Sequence, residues 1–312
     1  MSRNPERNDR KSVKKPTFGG KPGGRPDGPR GADRSADKGA PKSGGWNPNP
    51  PTRSADSAPR GPRGSKIDGD NFVWGRHPVL AALANPARKG MGRLLATADR
   101  AAELERDKAA HGHKIEIIEG QALERMLPPG AVHQGLAFKV QPLEGVALED
   151  FADPAPGPGE GGVIVMLDQL TDPQNVGAIF RSALAFGAKG IVVQDRHSPA
   201  LAGALAKASA GATERLPCAR VTNLSRALEK LADLGWRAVG LDGDAELTLE
   251  QALDGRPTVL VMGSEGDGVR RLVAEHCDVM ARIPMPGGFE SLNVSNAAAV
   301  ALYESTRARG VS

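Results

Sequence analysis

Five short apolar runs constrain this chain more than any other feature: VIVMLDQL at 163–170, GIVVQD at 190–195, RAVGLD at 237–242, TVLVMG at 258–263 and VMARIPM at 279–285. Runs of this length, rich in Val, Ile and Leu, read as strands buried on both faces. Segments with helical periodicity alternate with them, at 174–187, 200–211, 222–235, 247–253, 267–276 and 292–309. Strand alternating with helix demands a parallel sheet with helices packed on both sides. The predicted fold class is therefore α/β. Open parallel sheets bind their ligands at the carboxyl ends of the strands, so the loops that follow these runs are where chemistry is expected.

Upstream, residues 70–143 read as a separate small α/β domain. Phe72 and Val73 open it as a short strand, and 77–83 is helical, with Val79, Leu80 and Leu83 on one face. Strands are expected at 93–97 and 114–118, helices at 101–111 and 121–127, and HQGLAFKVQPL at 133–143 holds the closing strand. A unit of this size is large enough to bury its own core. Residues 144–161, which include DPAPGPGEGG, read as a flexible, extended linker, and 162–312 as the second domain. Residues 1–69 are low in complexity and poor in apolar side chains, so no core offsets the entropy of ordering them, and disorder is expected.

Charge is unevenly placed. Residues 1–70 carry 16 Lys+Arg against 8 Asp+Glu, a net of +8, while the rest carries 25 against 29, a net of −4. A basic tail suits a polyanion such as RNA through sequence-blind, salt-sensitive attraction. It equally suits a solubilising extension. Arg76, His77, Arg88, Lys89 and Arg93 form a second basic group at the start of the first domain, readable as RNA contacts or as solvated surface charge.

Several function classes are disfavoured. No apolar run approaches the roughly 18 residues that span a bilayer. The basic N-terminus has no apolar segment behind it, so a secretory signal is not expected and the cytoplasm is the default compartment. Cys218 and Cys277 are the only cysteines, too few for a disulfide framework or a zinc cluster, and His111 and His113 lack further ligands, so no metal site is expected. Trp74, Trp236 and Tyr303 read as packing residues rather than stacking platforms. A nucleotide-binding dehydrogenase would need a glycine fingerprint after the first strand, which is missing.

Three loops carry unusual residues. In LDQLTDPQNVGAIFRSALAFG, residues 167–187, Asn175 and Arg181 are six apart and reach one cavity only if Asn175 lies in the loop or first turn. The same segment also reads as an ordinary helix start, with Asp172 as cap, Pro173 in first position and Arg181 in solvent. In VMGSEGDGVRRL, residues 261–272, three glycines let the backbone face a ligand, while Glu265 suits a hydroxyl or a cation better than a phosphate. In IPMPGGFESLNVSNAAAV, residues 283–300, Ser291, Asn293, Ser295 and Asn296 crowd the mouth of an alanine-rich helix, more than one cap requires. One of Ser291 and Asn293 can cap while the other faces a ligand.

Together, DPQNVGAIFRSALAFG, VMGSEGDGV and IPMPGGFESLNVSNAAAVALYE resemble the three motifs of the SpoU/TrmH family of SPOUT-class RNA ribose 2′-O-methyltransferases. VWGRHPVLAALANP and HQGLAFKVQPL extend the likeness to the substrate-binding domain of the 23S rRNA guanosine-2′-O-methyltransferase branch, so that residues 71–309 are covered. The resemblance implies a trefoil-knotted parallel sheet, a homodimer, S-adenosylmethionine (SAM) as methyl donor and 23S rRNA, free or in a large-subunit assembly intermediate, as partner. It assigns Asn175, Arg181, Glu265, Ser291 and Asn293 to catalysis and ribose positioning, and Gly263, Ile283 and Leu292 to contact with SAM. A tRNA ribose methyltransferase and a non-catalytic RNA-binding assembly protein of the same fold are the alternatives. Methyl transfer from a sulfonium is an in-line displacement and requires no metal. No histidine lies in the three motifs. A guanidinium stays protonated, with a pKa above about 12, so Arg181 reads as a binder of substrate phosphate and a stabiliser of the developing alkoxide rather than as a simple base.

Overall fold

The computed structural model describes residues 69–153, 162–264, 266–287 and 292–310. The expected tail up to residue 68, the second half of the expected linker (154–161), Glu265 and Ser291 lie outside the described residues.

The first unit is a four-stranded mixed sheet: β1 (Phe72–Trp74), β2 (Arg93–Ala96), β3 (Ile115–Ile117) and β4 (Leu136–Lys139), in the order β1-β4-β2-β3. β4 runs antiparallel to both neighbours, and β2 pairs with β3 in parallel. Helices α1 (Arg76–Ala84), α2 (Ala98–Arg106) and α3 (Gly120–Met126) connect the strands. Val79 and Leu83 of α1 are buried with Leu94, Leu136 and Phe138, as the helical periodicity predicts, while Leu80 is partly buried against the same cluster. α2 begins three residues earlier than expected and stops at Arg106, because Lys108 and His111 take left-handed backbone angles (φ 52° and 48°) that end the helix.

The second unit is a seven-stranded sheet whose strands, among the described residues, all pair in parallel. Its strands are β5 (Val163–Leu167), β6 (Gly190–Gln194), β7 (Cys218–Val221), β8 (Arg237–Leu241), β9 (Leu247–Thr248), β10 (Thr258–Met262) and β11 (Val279–Arg282), in the order β7-β6-β5-β10-β8-β11-β9. All five apolar runs form strands. α4 (Pro173–Ala185), α5 (Gly203–Ala208), α7 (Leu249–Ala252) and α9 (Val294–Ala308) contribute to one buried cluster, with Val163, Val165, Leu167, Leu260 and Met262 beneath them. α6 (Leu224–Asp233) and α8 (Arg271–Ala274) cover the other face, over Ile164, Met166, Val259 and Val261. The two clusters take alternate residues of the same strands, which is the period-two signature of a sheet buried on both sides.

Two expectations change. Residues 144–153 are not a free tether. Val146 bridges to Ala219 of β7, and Leu148, Phe151 and Ala152 are buried against Ile164 and Met166. The apolar residues at 148, 151 and 152 dock this half of the segment, whatever its Pro and Gly content suggests. Second, Trp74 and Trp236 are buried as expected, but Tyr303 is 58% exposed, with its ring edge-on to Phe186.

The chain reverses direction within the second sheet. It steps outward from β5 through β6 to β7, then crosses to β8 on the other side of β5. β10 later fills the place between β5 and β8. The carboxyl ends of β5 and β10 therefore lie side by side at a point where strand order reverses, which is where parallel sheets take ligands.

Candidate active site

The register sets the floor of the site. Leu167 pairs with Met262, and the amide of Asp168 donates to the Met262 carbonyl at 2.8 Å, so Asp168 and Gly263 leave the sheet together. Asp168 is fully buried, and its carboxylate accepts from the Arg270 amide at 2.9 Å and from Arg270 Nε at 2.8 Å. Arg270 Nη2 also donates to Gln194 at the end of β6, at 3.1 Å. One buried carboxylate thus ties the loop after β10 to the ends of β5 and β6. The sequence reading missed Asp168, Arg270 and Gln194. Asp168 was detectable as a charge that closes an otherwise apolar strand; the partnership with Arg270, about a hundred residues away, carries no local signal.

The loop after β10 folds back on itself. Ser264 and Gly268 exchange two backbone hydrogen bonds of 3.1 Å, which closes a tight turn around the tip of the GSEGDG segment. A Cβ built on Gly263 would stand 1.9 Å from the Gly268 carbonyl carbon and 2.1 Å from the Val269 nitrogen. Only glycine lets the Gly268–Val269 backbone pass here, so the loop closes on its own main chain at the sheet edge.

The third loop meets the first through two asparagines. Asp172 caps α4, accepting from the Gln174 amide at 3.0 Å and the Asn175 amide at 3.4 Å, and Pro173 takes the first helical position. Asn293 caps α9, its Oδ1 accepting from the Ser295 amide at 3.0 Å and the Asn296 amide at 3.4 Å. The Nδ2 of Asn293 is left to donate to Asn175 Oδ1 at 2.9 Å. The crowd of small polar residues at the mouth of α9 is thereby resolved in part: one asparagine caps its own helix and ties that helix to the start of α4. Ser295 turns inward to the same asparagine rather than to loop backbone.

Among the predicted site residues, Asn175 and Asn293 are in direct contact, and Gly263 shares their edge of the sheet. Ile283 follows β11 and packs on the core under α9. Leu292 is 41% exposed beside Asn293. Arg181 does not join them within this chain. It lies nearly two turns along α4 from Asn175, exposed, and lines a hollow with Ser209, Gly211 and Arg215. Among the described residues there is no group that could hold a metal ion and no helix long and apolar enough to cross a membrane.

The basic group expected on the first unit is dispersed. Arg88 is buried, its Nε and Nη2 donating to Glu214 at 2.8 and 2.9 Å, with Asn85 completing the carboxylate's shell at 2.8 Å. Arg76 is bound to Glu103, and Arg93 to Glu116. The Glu116 carboxyl is held below its usual range first by the hydrogen bond from Arg93 and then by that cation's charge. Arg88 is thus a structural bolt rather than an RNA contact.

Residues 162–303 match the SpoU rRNA methylase family, and residues 72–146 match the RNA 2′-O ribose methyltransferase substrate-binding domain. The chain is 41% identical over 260 residues to an uncharacterised tRNA/rRNA methyltransferase of Mycolicibacterium smegmatis, covering 82% of each sequence. It is 37% identical to a tRNA/rRNA methyltransferase of Synechocystis, over 77% of this chain and 63% of that one. Among solved structures it superposes on the SpoU methyltransferase AviRb of Streptomyces viridochromogenes in complex with AdoMet. That likeness has a TM-score of 0.62 and 27% identity, and covers 76% of this chain and 89% of that one.

Proposed function

This chain belongs to the SpoU family of RNA methyltransferases, and from that premise we propose that it methylates the ribose 2′-hydroxyl of an RNA nucleotide, a guanosine of 23S rRNA, with SAM as donor. The observation that carries the reading is the meeting of three loops at one edge of the parallel sheet: the loop after β5, the loop after β10 that Asp168 ties to it, and the loop after β11 that the Asn175–Asn293 pair ties to the first. Gly263, Ile283 and Leu292 would hold SAM there, with the loops after β10 and β11 forming the trefoil crossing. When bound, SAM supplies an already activated methyl group on a sulfonium.

The chain's own residues then have positional work. The ribose oxygen must be held roughly 3 Å from the methyl carbon and in line with sulfur. Asn175, Asn293 and Ser291 orient the ribose. Glu265 accepts the hydrogen bond of the 2′-hydroxyl and would take its proton as the oxygen–methyl bond forms and the methyl–sulfur bond breaks. Arg181, on a separate hollow of the same chain, binds a phosphate of the strand that leads to the ribose. Val300 and Tyr303 are exposed on α9, next to α4, and give a homodimer its apolar face.

The test is methyl incorporation. Purified protein with methyl-labelled SAM and protein-free rRNA should yield a 2′-O-methylated guanosine at one site. Methylation of tRNA instead would establish the tRNA reading, and SAM binding without transfer to any RNA would favour the assembly-protein reading.

A further inference from the structure

We propose that Arg215 is a phosphate-binding residue that carries single-stranded RNA from the cleft beside the first unit to Arg181. The proposal rests on the RNA methyltransferase reading above.

Two hollows share this one side chain. The larger, of about 1040 Å³, opens between β2, β4 and the 141–146 segment on one side and residues 213–218 on the other. The smaller, of about 430 Å³, lies between α4 and the turn after α5, with Arg181 on its wall. Arg215 lines both. It stands just after Glu214, whose carboxylate is fixed by Arg88 and Asn85, so the backbone that presents Arg215 is anchored to the first unit.

The charges fit a polyanion. Arg181 and Arg215 are exposed on one hollow, and neither guanidinium has a hydrogen-bonding or ionic partner among the described residues. Like charges on one hollow repel, and the arrangement is relieved by an anion that accepts from both. A phosphodiester does so, and the planar guanidinium fork matches its oxygens. Farther along, Lys139 stands on the wall of the larger cleft with Met91, 55% exposed, and with Arg93, whose guanidinium is already held by Glu116. Glu214 is already neutralised by Arg88, which leaves Glu144 as the unneutralised acid of the lining. Arg181, Arg215 and Lys139 together give a cationic track for the phosphates of an unpaired strand. A duplex would instead need a broad, shallow face.

The experiment uses the full chain and a fluorescein-labelled, mixed-sequence single strand of twelve ribonucleotides. Anisotropy titrations across a salt series would be run for the wild type, Arg215→Ala, Arg215→Lys and Arg215→Glu, with SAM affinity measured on the same samples. Arg215→Ala should weaken RNA binding about tenfold and lower the salt slope by about 0.7, the share of one single-strand phosphate. Arg215→Lys should restore most of the affinity, Arg215→Glu should bind more weakly than Arg215→Ala, and SAM affinity should not move. Unchanged RNA affinity and slope in both Arg215→Ala and Arg215→Glu would overturn the track while leaving the enzyme reading intact. A wild-type chain that binds SAM and methylates rRNA but ignores the single strand and prefers a duplex probe would also overturn it. Failure of the wild type to bind SAM or RNA at all would remove the reading and the track together.

Discussion

At the scale of single residues, the site depends on atoms that are absent as much as on those present. Gly263 passes so close to Gly268 and Val269 that any side chain must displace main chain, not merely a mobile neighbour. Gly263→Ala should therefore cost about 1–3 kcal/mol in stability, typical of overpacking. It should cost SAM affinity more steeply than RNA affinity. Calorimetric titration with SAM beside a thermal melt checks both; full SAM affinity in the variant would remove Gly263 from the cofactor site. Cys218 offers a prediction of another kind. Burial pushes its thiol up from 9.0 to about 12, against a small opposing pull from Arg220. In the unfolded chain the thiol ionises above about 9, whereas in the folded chain it stays protonated until near 12. The unfolded state alone gains by releasing the proton in that window. This contribution to stability is thus whole below pH 9 and lost as pH climbs toward 12. Denaturant melts at rising pH should show a shallower alkaline decline in Cys218→Ala than in the wild type.

At the scale of elements, α4 and α9 act as a pair joined at their first turns. Gly177 lets α4 lie against α5, since a Cβ there would come within 2.5 Å of the Ala208 methyl, and Asn293 fixes α9 to the head of α4. The cap and the tether are separable. Asn293→Asp keeps an oxygen to cap α9 but loses the Nδ2 donor to Asn175. Asn293→Ala loses both and should cost about 1 kcal/mol as a lost cap. The expected result is a melting temperature held in Asn293→Asp and lowered in Asn293→Ala, with methyl transfer impaired in both. Normal transfer by Asn293→Asp would mean that the asparagine contact is only scaffolding. These elements also show what was legible beforehand. The strands at 163, 190, 237, 258 and 279 were visible because burial on both faces leaves an unbroken apolar run. β7 was not: Arg220 sits within it, its guanidinium turned to Asp195 and the Pro199 carbonyl, so the apolar signal stops after Cys218 and Ala219. The Asp172–Pro173 helix start was readable from local chemistry. The exposure of Arg181 on a different hollow from Asn175 depends on how α4 packs, and the local sequence left both placements open.

At the scale of the whole molecule, the first unit is bolted to the second at two places. α5 belongs to the methylase sheet, yet its Ala206 is buried in the first unit's core with Val73, Val79 and Leu136. Nearby, Lys207 reaches Gln134 at 3.4 Å. The second bolt is Arg88 with Glu214, whose side chains are 3% and 0% exposed. Arg88 looked like surface charge because a sequence lists an arginine without its partner 126 residues away. A pair this deep carries the cost of desolvating both ions, and that cost is offset only while both are present. Glu214→Ala should leave a buried guanidinium uncompensated and destabilise by about 3–5 kcal/mol, and Arg88→Met should strand the carboxylate to similar effect. The double variant Arg88→Met with Glu214→Leu removes both charges at comparable volume and should recover most of the loss. Denaturant melts of the two single variants and the double variant measure the coupling directly. The double variant also isolates what rigidity contributes: with stability regained but the fork of hydrogen bonds gone, Arg215 is no longer held to the first unit. RNA affinity should then fall while SAM affinity stands. If instead the single variants prove as stable as the wild type, the pair is not the bolt that its burial indicates, and α5 with the other contacts between the units holds them in place.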